Sequence, residues 1–225
     1  MQNETPSCAR CPFKASDRLC QKKDGKAPHF CPTRNLAELA EQSLKEYDKP
    51  SISEFAKQSS IQESEGYLNK DLGYENLRAS KTRIEETMEF AARMHYKRLG
   101  IAFCLGLRNE AKVVEKIFLS RKFEVVSAIC KVGRISKERI GVGKEHHIAL
   151  DRAEEAMCNP ILQAMILNTE KTDFNVLLGL CVGHDSLFLK YAEAPCTILA
   201  VKDRMLGHNP LAAVYNVNSY YRCLK

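Results

Sequence analysis

Ten cysteines stand in this 225-residue sequence, and their spacing sorts them into sets with different chemistry. Four fall early: Cys8-Ala9-Arg10-Cys11 is a Cys-x2-Cys knuckle, and Cys20 and Cys31 follow after eight and ten intervening residues. Zinc and a 4Fe-4S cluster both accept four thiolates. Residues 1–34 carry few aliphatic side chains beyond Leu19, so a metal rather than a hydrophobic core must fold them. The spacing does not choose between zinc and 4Fe-4S, because the second half lacks the Cys-x2-Cys of a zinc ribbon and the whole lacks a ferredoxin run. His29, two residues before Cys31, can replace one thiol in a zinc site.

A second set, Cys130, Cys158 and Cys181, lies beside Lys, Asn-Pro and Gly rather than inside apolar runs. Three thiolates leave a metal or a second 4Fe-4S cluster with one open position, which a catalytic site requires and a structural site avoids. The same neighbourhoods supply His184 as a proton carrier and Asp185 to orient it or cap a helix. Lys131, Lys202, Arg204 and Asn159 are candidates to hold a small anionic substrate. Without a metal, Cys181 or Cys130 beside His184 could act as a nucleophile. Plainer readings stand beside these: Asp185 as an N-cap, Lys202-Asp203-Arg204 as a solvated turn, His146-His147 facing solvent, and His95 as an ordinary helix residue. Cys104 lies within the apolar run 100–106 and reads as core.

For these residues to meet, the chain must bring distant segments together. Leu36, Leu39, Ala40 and Leu44 recur at helical spacing after Asn35, a plausible N-cap, and Lys49-Pro50 stops the segment. Further helices are expected over residues 53–65 and 75–98. Apolar runs at 100–106 and 124–130 flank a helical stretch, 108–120, giving a strand-helix-strand unit whose crossover favours parallel pairing. Helices then follow over 146–157 and from Pro160 to about Asn168. A third strand covers 174–182, a short helix 186–192, a fourth strand 197–201, and a last helical turn 209–215. The expected fold is α/β: an open, mostly parallel sheet of about four strands with helices on both faces, preceded by the cysteine knuckle and N-terminal helices. The domain division is 1–34, a metal-binding module; 35–98, a helical segment; and 99–225, the parallel α/β domain. In such sheets ligands bind beyond the carboxyl ends of the strands, where Cys130, Cys181, Lys131 and Lys202 fall.

Composition narrows the function classes. With 44% apolar and 28% charged residues the chain is globular, not disordered or collagenous. No window approaches the ~18 uninterrupted apolar residues of a membrane span, and the polar start lacks a secretory pattern, so a cytoplasmic protein is expected. Cysteine at about 4% falls short of a disulfide scaffold. Residues 1–35 hold seven Lys/Arg against three Asp/Glu, while the other 190 hold 27 against 25. Nucleic-acid binding is therefore possible only through the N-terminal piece, where Phe13 and Phe30 interleave with Lys and Arg. Balancing an anionic four-thiolate site explains the same charges. No dinucleotide fingerprint or phosphate-binding loop follows the first strand.

The N-terminal four-cysteine cluster, Cys130-Lys-Val-Gly, Cys158-Asn-Pro, Gly-Leu-Cys-Val-Gly-His-Asp ending at Asp185, and Val-Lys-Asp-Arg followed by His-Asn-Pro together resemble an uncharacterised prokaryotic family of domain-of-unknown-function type, usually labelled metal-binding protein. The resemblance spans nearly the whole chain. It implies metal binding through the N-terminal cysteines and supplies no reaction. The leading expectation is thus a metalloprotein, zinc or iron–sulfur, with a second thiol site acting on a small anion; the alternatives are a zinc-stabilised module that senses a ligand or binds protein or nucleic acid, and a metal-free thiol enzyme.

Overall fold

The computed structural model describes residues 5–225, which divide into two compact units, one up to Glu63 and the other Ser64–Lys225. The first unit begins with turns and short 3-10 segments around the early cysteines. It continues with helices α1 (Pro32–Asn35), α2 (Ala37–Tyr47) and all but the last two residues of α3 (Pro50–Glu65). No residue of α1 or α2 is buried, as a segment without its own hydrophobic core requires. Asn35 does not cap the second helix: its amide donates to the carbonyl of His29 at 2.6 Å, and the chain breaks at Leu36 instead.

The second unit opens with a small antiparallel hairpin, β1 (Tyr67–Leu68) with β2 (Arg78–Ala79), and helix α4 (Arg83–Arg93). Then come β3 (Arg98–Phe103), α5 (Arg108–Ser120), β4 (Glu124–Ile129), α6 (Pro160–Thr169), β5 (Phe174–Leu178), α7 (His184–Tyr191), β6 (Cys196–Ala200) and α8 (Leu211–Tyr215). The last four strands form one sheet in the order β4-β3-β5-β6, every pair parallel. Helices cover both faces, as expected of near-continuous apolar strands.

Alternation along the strands assigns the faces. A methyl group on Gly100 would lie 2.8 Å from Leu167 of α6, and Ala102 packs in one buried cluster with Ala164, Leu167, Leu177 and Phe188. That leaves Leu99 and Ile101, fully buried, for the opposite face. There Phe174 of β5 meets Phe90 of α4 at 5.5 Å between ring centres and stacks on Tyr96 at 5.8 Å. Each such buried apolar side chain contributes roughly 1.5–3 kcal/mol.

The topology sets where a ligand can enter. From β3 the chain runs through α5 to the edge strand β4, then returns through α6 to β5 on the other side of β3. Connections leaving β3 and β5 therefore diverge to opposite faces, and their carboxyl ends frame the crevice typical of ligand sites in open sheets.

Two segments depart from the sequence expectation. Residues 75–98 are not one long helix. Gly73, at φ +89°, turns the chain, and a capping box between Thr82 and Glu85 starts α4 only at Arg83. That helix ends before His95, whose φ of +58° is left-handed, so His95 is a turn residue. Residues 146–157 form no helix either: the Glu155 carboxylate accepts the amide N–H groups of Ile148 (2.7 Å) and Ala149 (3.2 Å), holding them in an irregular loop. His147 is buried there at 5% exposure, not solvent-facing, while His146 is exposed. The strands are shorter than expected at their carboxyl ends: β3 stops at Phe103, β4 at Ile129 and β5 at Leu178.

Candidate functional site

Early strand ends put cysteines just past the sheet. Cys104 follows β3, Cys130 follows β4, Cys158 precedes the α6 cap, and Cys181 stands between β5 and α7. Backbone hydrogen bonds lock these positions. Cys130 donates its N–H to Phe103 (2.8 Å), Asn159 donates to the Cys130 carbonyl (2.7 Å), and Cys104 donates to Leu178 (3.1 Å). Beneath them Gln163 of α6, fully buried, donates to the carbonyls of Phe103 (3.2 Å) and Ala128 (2.7 Å), tying the two strand ends together.

Three of the thiols form a chain of hydrogen-bond partners. The bond to Cys130, with burial adding to it, pushes the Cys104 thiol up to about 12. That same bond favours a thiolate on Cys130, but the bond from Cys130 to Cys158 and burial outweigh it, so the Cys130 pKa also rises. Its sulfur further accepts the Leu105 N–H at 3.2 Å. Negative charge thus collects at the end of the chain. Cys158 is lowered to about 7, chiefly by the Cys130 hydrogen bond, against burial and with help from the Lys131 charge. Cys181 is close enough to oppose that ionisation.

Cations surround the thiols. The Nη2 of Arg204 donates to the Cys181 sulfur at 3.1 Å, and Lys202 hydrogen-bonds the Cys104 thiol. Half-buried His184 is held below the ordinary histidine range by burial first and by the Lys131 charge second. Two of the expected residues have other duties. Asn159 is buried, and its Oδ1 accepts the Leu162 N–H at 3.0 Å, capping α6. Asp185 accepts the N–H of Ser186 at 2.8 Å rather than holding the imidazole through a hydrogen bond. The N–H groups of His184 and Asp185 both donate to the Cys181 carbonyl, so the first amides of α7 are occupied.

Sequence reasoning missed Cys104 and Glu155. Reading the first strand through Gly106 hid Cys104 inside an apolar run; a strand ending at Phe103 makes it the first residue past the edge. Glu155 lay within an expected helix. Its carboxylate pairs with Lys137 at 2.6 Å and stands 4.0 Å from Lys131, whose Nζ also donates to the Ala156 carbonyl. These contacts, with the Met157 N–H donating to Ile135 at 2.7 Å, close the neck of the loop between β4 and α6 and hold Lys131 beside Cys158.

In the first unit, Cys8, Cys11, Cys20 and Cys31 all line one cavity of about 60 Å³, with Leu19 and Phe30 among its walls. Burial opposes ionisation of Cys31, but N–H groups of Arg34 and Thr33 prevail and hold its pKa below the usual thiol value. His29 packs edge-on against Phe30, with 5.0 Å between ring centres. Arg10 lies over Phe30 at 5.5 Å and Lys26 over Phe13 at 6.0 Å, so the module's own cations cover its aromatic faces.

Among the described residues no three His, Cys, Asp or Glu side chains stand in place to hold a metal ion. The donor chemistry still fits in both places: four soft thiols open on one small cavity, and three interact in sequence at the sheet edge with a fourth nearby. Binding would require each set to draw inward. No helix among the described residues is long and apolar enough to cross a membrane.

No solved structure significantly matches the chain. The uncharacterized protein MJ0455 of Methanocaldococcus jannaschii is 44% identical over 185 residues, 82% of this chain and 86% of that protein. The family model described as protein of unknown function (DUF1847) matches residues 31–199, a span that contains all four sheet-edge cysteines and His184. The chain therefore belongs to the DUF1847 family of proteins of unknown function.

Proposed function

We propose that this is a cytoplasmic metal-binding protein with two thiol sites: a zinc or 4Fe-4S module on Cys8, Cys11, Cys20 and Cys31, and a second centre on Cys130, Cys158 and Cys181 that acts on a small anionic substrate. One observation carries the reading. Thiols from four separate segments meet at the crevice between β3 and β5, with Lys131, Lys202 and Arg204 around them. Cys130 belongs to the apolar cluster of Ala102, Leu177 and Phe188, with Cys104 and Cys158 packed against it, but a core has no use for the cations beside them. Cys104, the fourth thiol, can complete the ligand set or hold the Cys130 side chain in place.

When bound, the metal or cluster would supply Lewis-acid or electron-transfer chemistry. The chain's own groups have separable tasks. Lys202 and Arg204 hold the substrate's charge, His184 carries a proton, and the buried Gln163 fixes the spacing of the strand ends. Anaerobic purification followed by zinc, iron and acid-labile sulfide assays tests the reading. It predicts metal at both thiol sets, and protein with metal at neither would overturn it.

The influence of Cys130 and Lys131 on Cys158, which favours its thiolate, supports a second reading in which the edge thiols react without a metal. Cys158, rather than Cys181 or Cys130, is then the attacking group. Single-turnover labelling of metal-free protein with a limiting disulfide separates the readings: a mixed disulfide on Cys158, resolved by Cys130, supports the thiol enzyme, and unselective labelling rejects it.

A further inference from the structure

The turn after β6 is built to present two cations without carboxylates. Asp203, between Lys202 and Arg204 in the chain, spends Oδ1 on the N–H groups of Met205 (3.0 Å) and Leu206 (2.8 Å). Its own N–H donates to Nδ1 of His208 at 3.1 Å, and the His208 N–H returns to the Asp203 carbonyl at 2.9 Å. The turn is closed on itself, so its shape does not depend on the flanking cations. Some cations of the second unit are paired, Arg98 with Glu124 at 2.7 Å and Lys137 with Glu155 at 2.6 Å. Lys202 and Arg204 have no ion-pair partner among the described residues; the Arg204 guanidinium donates to the Cys181 sulfur, and Lys202 lies near enough to Cys104 to favour its ionisation.

Thiol sulfur is a weak acceptor, whereas an ammonium has three donors and a guanidinium five. Half-buried Lys202 therefore has N–H donors to offer an anion at the crevice. Gly106 and Gly179 border the ammonium: a methyl group on either would lie 3.7 Å from Lys202 Nζ, an ordinary contact, and Gly179 has a φ of +69° that other residues resist. Helix amides do not compete as the anion holder, since those opening α7 are already taken.

We infer that Lys202 and Arg204 form an oxyanion-binding subsite, which holds a small carboxylate or a phosphate- or sulfate-like group with its far end toward the edge thiols. This rests on reading the sheet edge as the functional site, and it deepens that reading by giving the substrate class: a small acid bound by side chains rather than by a nucleotide-type loop. The rival role for the two cations is to offset thiolate charge alone. In that case they would matter for metal retention and not for anions.

Calorimetric titration of the purified full chain with sulfate, at constant ionic strength set by chloride, decides the matter when metal content is measured on the same samples. Saturable sulfate binding is expected in the wild type, weakened at least about tenfold by Lys202→Met and by Arg204→Gln, with metal content unchanged. Phosphate and acetate in the same titration separate tetrahedral from planar oxyanions. Absent saturable binding to any of the three, or binding equal in the variants, would overturn the subsite. Loss of metal together with anion binding would also overturn it, in favour of charge balancing. Failure of the metal reading looks different: Cys158→Ser would leave metal content intact while sulfate still bound.

Discussion

At the scale of single residues, three neighbouring thiols are made unlike one another by position. Cys158 is lowered to about 7 and Cys104 raised to about 12. Near neutral pH Cys158 is therefore the more readily ionised of the two, and Cys104 stays a thiol. In metal-free protein Cys158 is expected to be the first edge cysteine carbamidomethylated by iodoacetamide, its rate climbing through pH 7, as peptide mass mapping would show. Cys130→Ala removes the largest cause of that acidity and should slow the labelling at pH 7; an unchanged rate would mean that the hydrogen-bond chain is not what lowers Cys158. Glu155 offers a test by acid. Its carboxyl is lowered to about 2, chiefly by the Lys137 hydrogen bond, so its stabilisation is present above the ordinary 4.5 and is lost as pH falls from there toward 2. Glu155→Gln should remove that part of the acid dependence in an unfolding titration followed by circular dichroism. Residue types pointed to Cys130, Cys158, Cys181, Lys202 and Arg204 as candidates, because each sits beside a turn signal. They did not reveal the fixed duties of Asn159 and Asp185, since capping and binding ask for the same short polar side chains.

At the scale of elements, the strands determine which thiols can meet. A one-residue error in where β3 ends moves Cys104 from core to edge, and hydrophobic runs blur such ends because Cys and Leu are as apolar as the strand itself. Alternating strands and helices were legible throughout the sheet, as was Pro160 at the first position of α6 with Asn159 before it. The extra helix expected over 146–157 was not there: a buried Glu155, seven residues after Ile148 and six after Ala149, takes their amides and outcompetes helical pairing. Two substitutions examine the elements directly. Gln163→Leu leaves the Ala128 carbonyl without its side-chain donor and should cost about 1–3 kcal/mol in denaturant melts. Gly179→Ala places a methyl 2.2 Å from Leu107 at a positive φ, and should destabilise by at least about 1 kcal/mol. A fully stable Gly179→Ala protein would show that the crevice tolerates movement that the packing forbids.

At the scale of the whole molecule, two units depend on different forces. The sheet unit has a buried apolar core on both faces; the first unit buries no residue of α1 or α2 and gathers its cysteines around a cavity. Chelation should therefore loosen residues 5–35, seen as rapid amide hydrogen exchange there, and leave the protection of β3 and β5 intact. Equal protection before and after chelation would assign the first unit some other source of order. The net charge of +6 follows the same division in sequence, because most of the excess lies in residues 1–35. The most direct test of the central claim is elemental analysis of anaerobically prepared wild type beside a Cys130→Ser, Cys158→Ser, Cys181→Ser triple variant. The account predicts that the variant loses the edge site's metal and keeps that of the N-terminal module; identical metal content in the two proteins would contradict it.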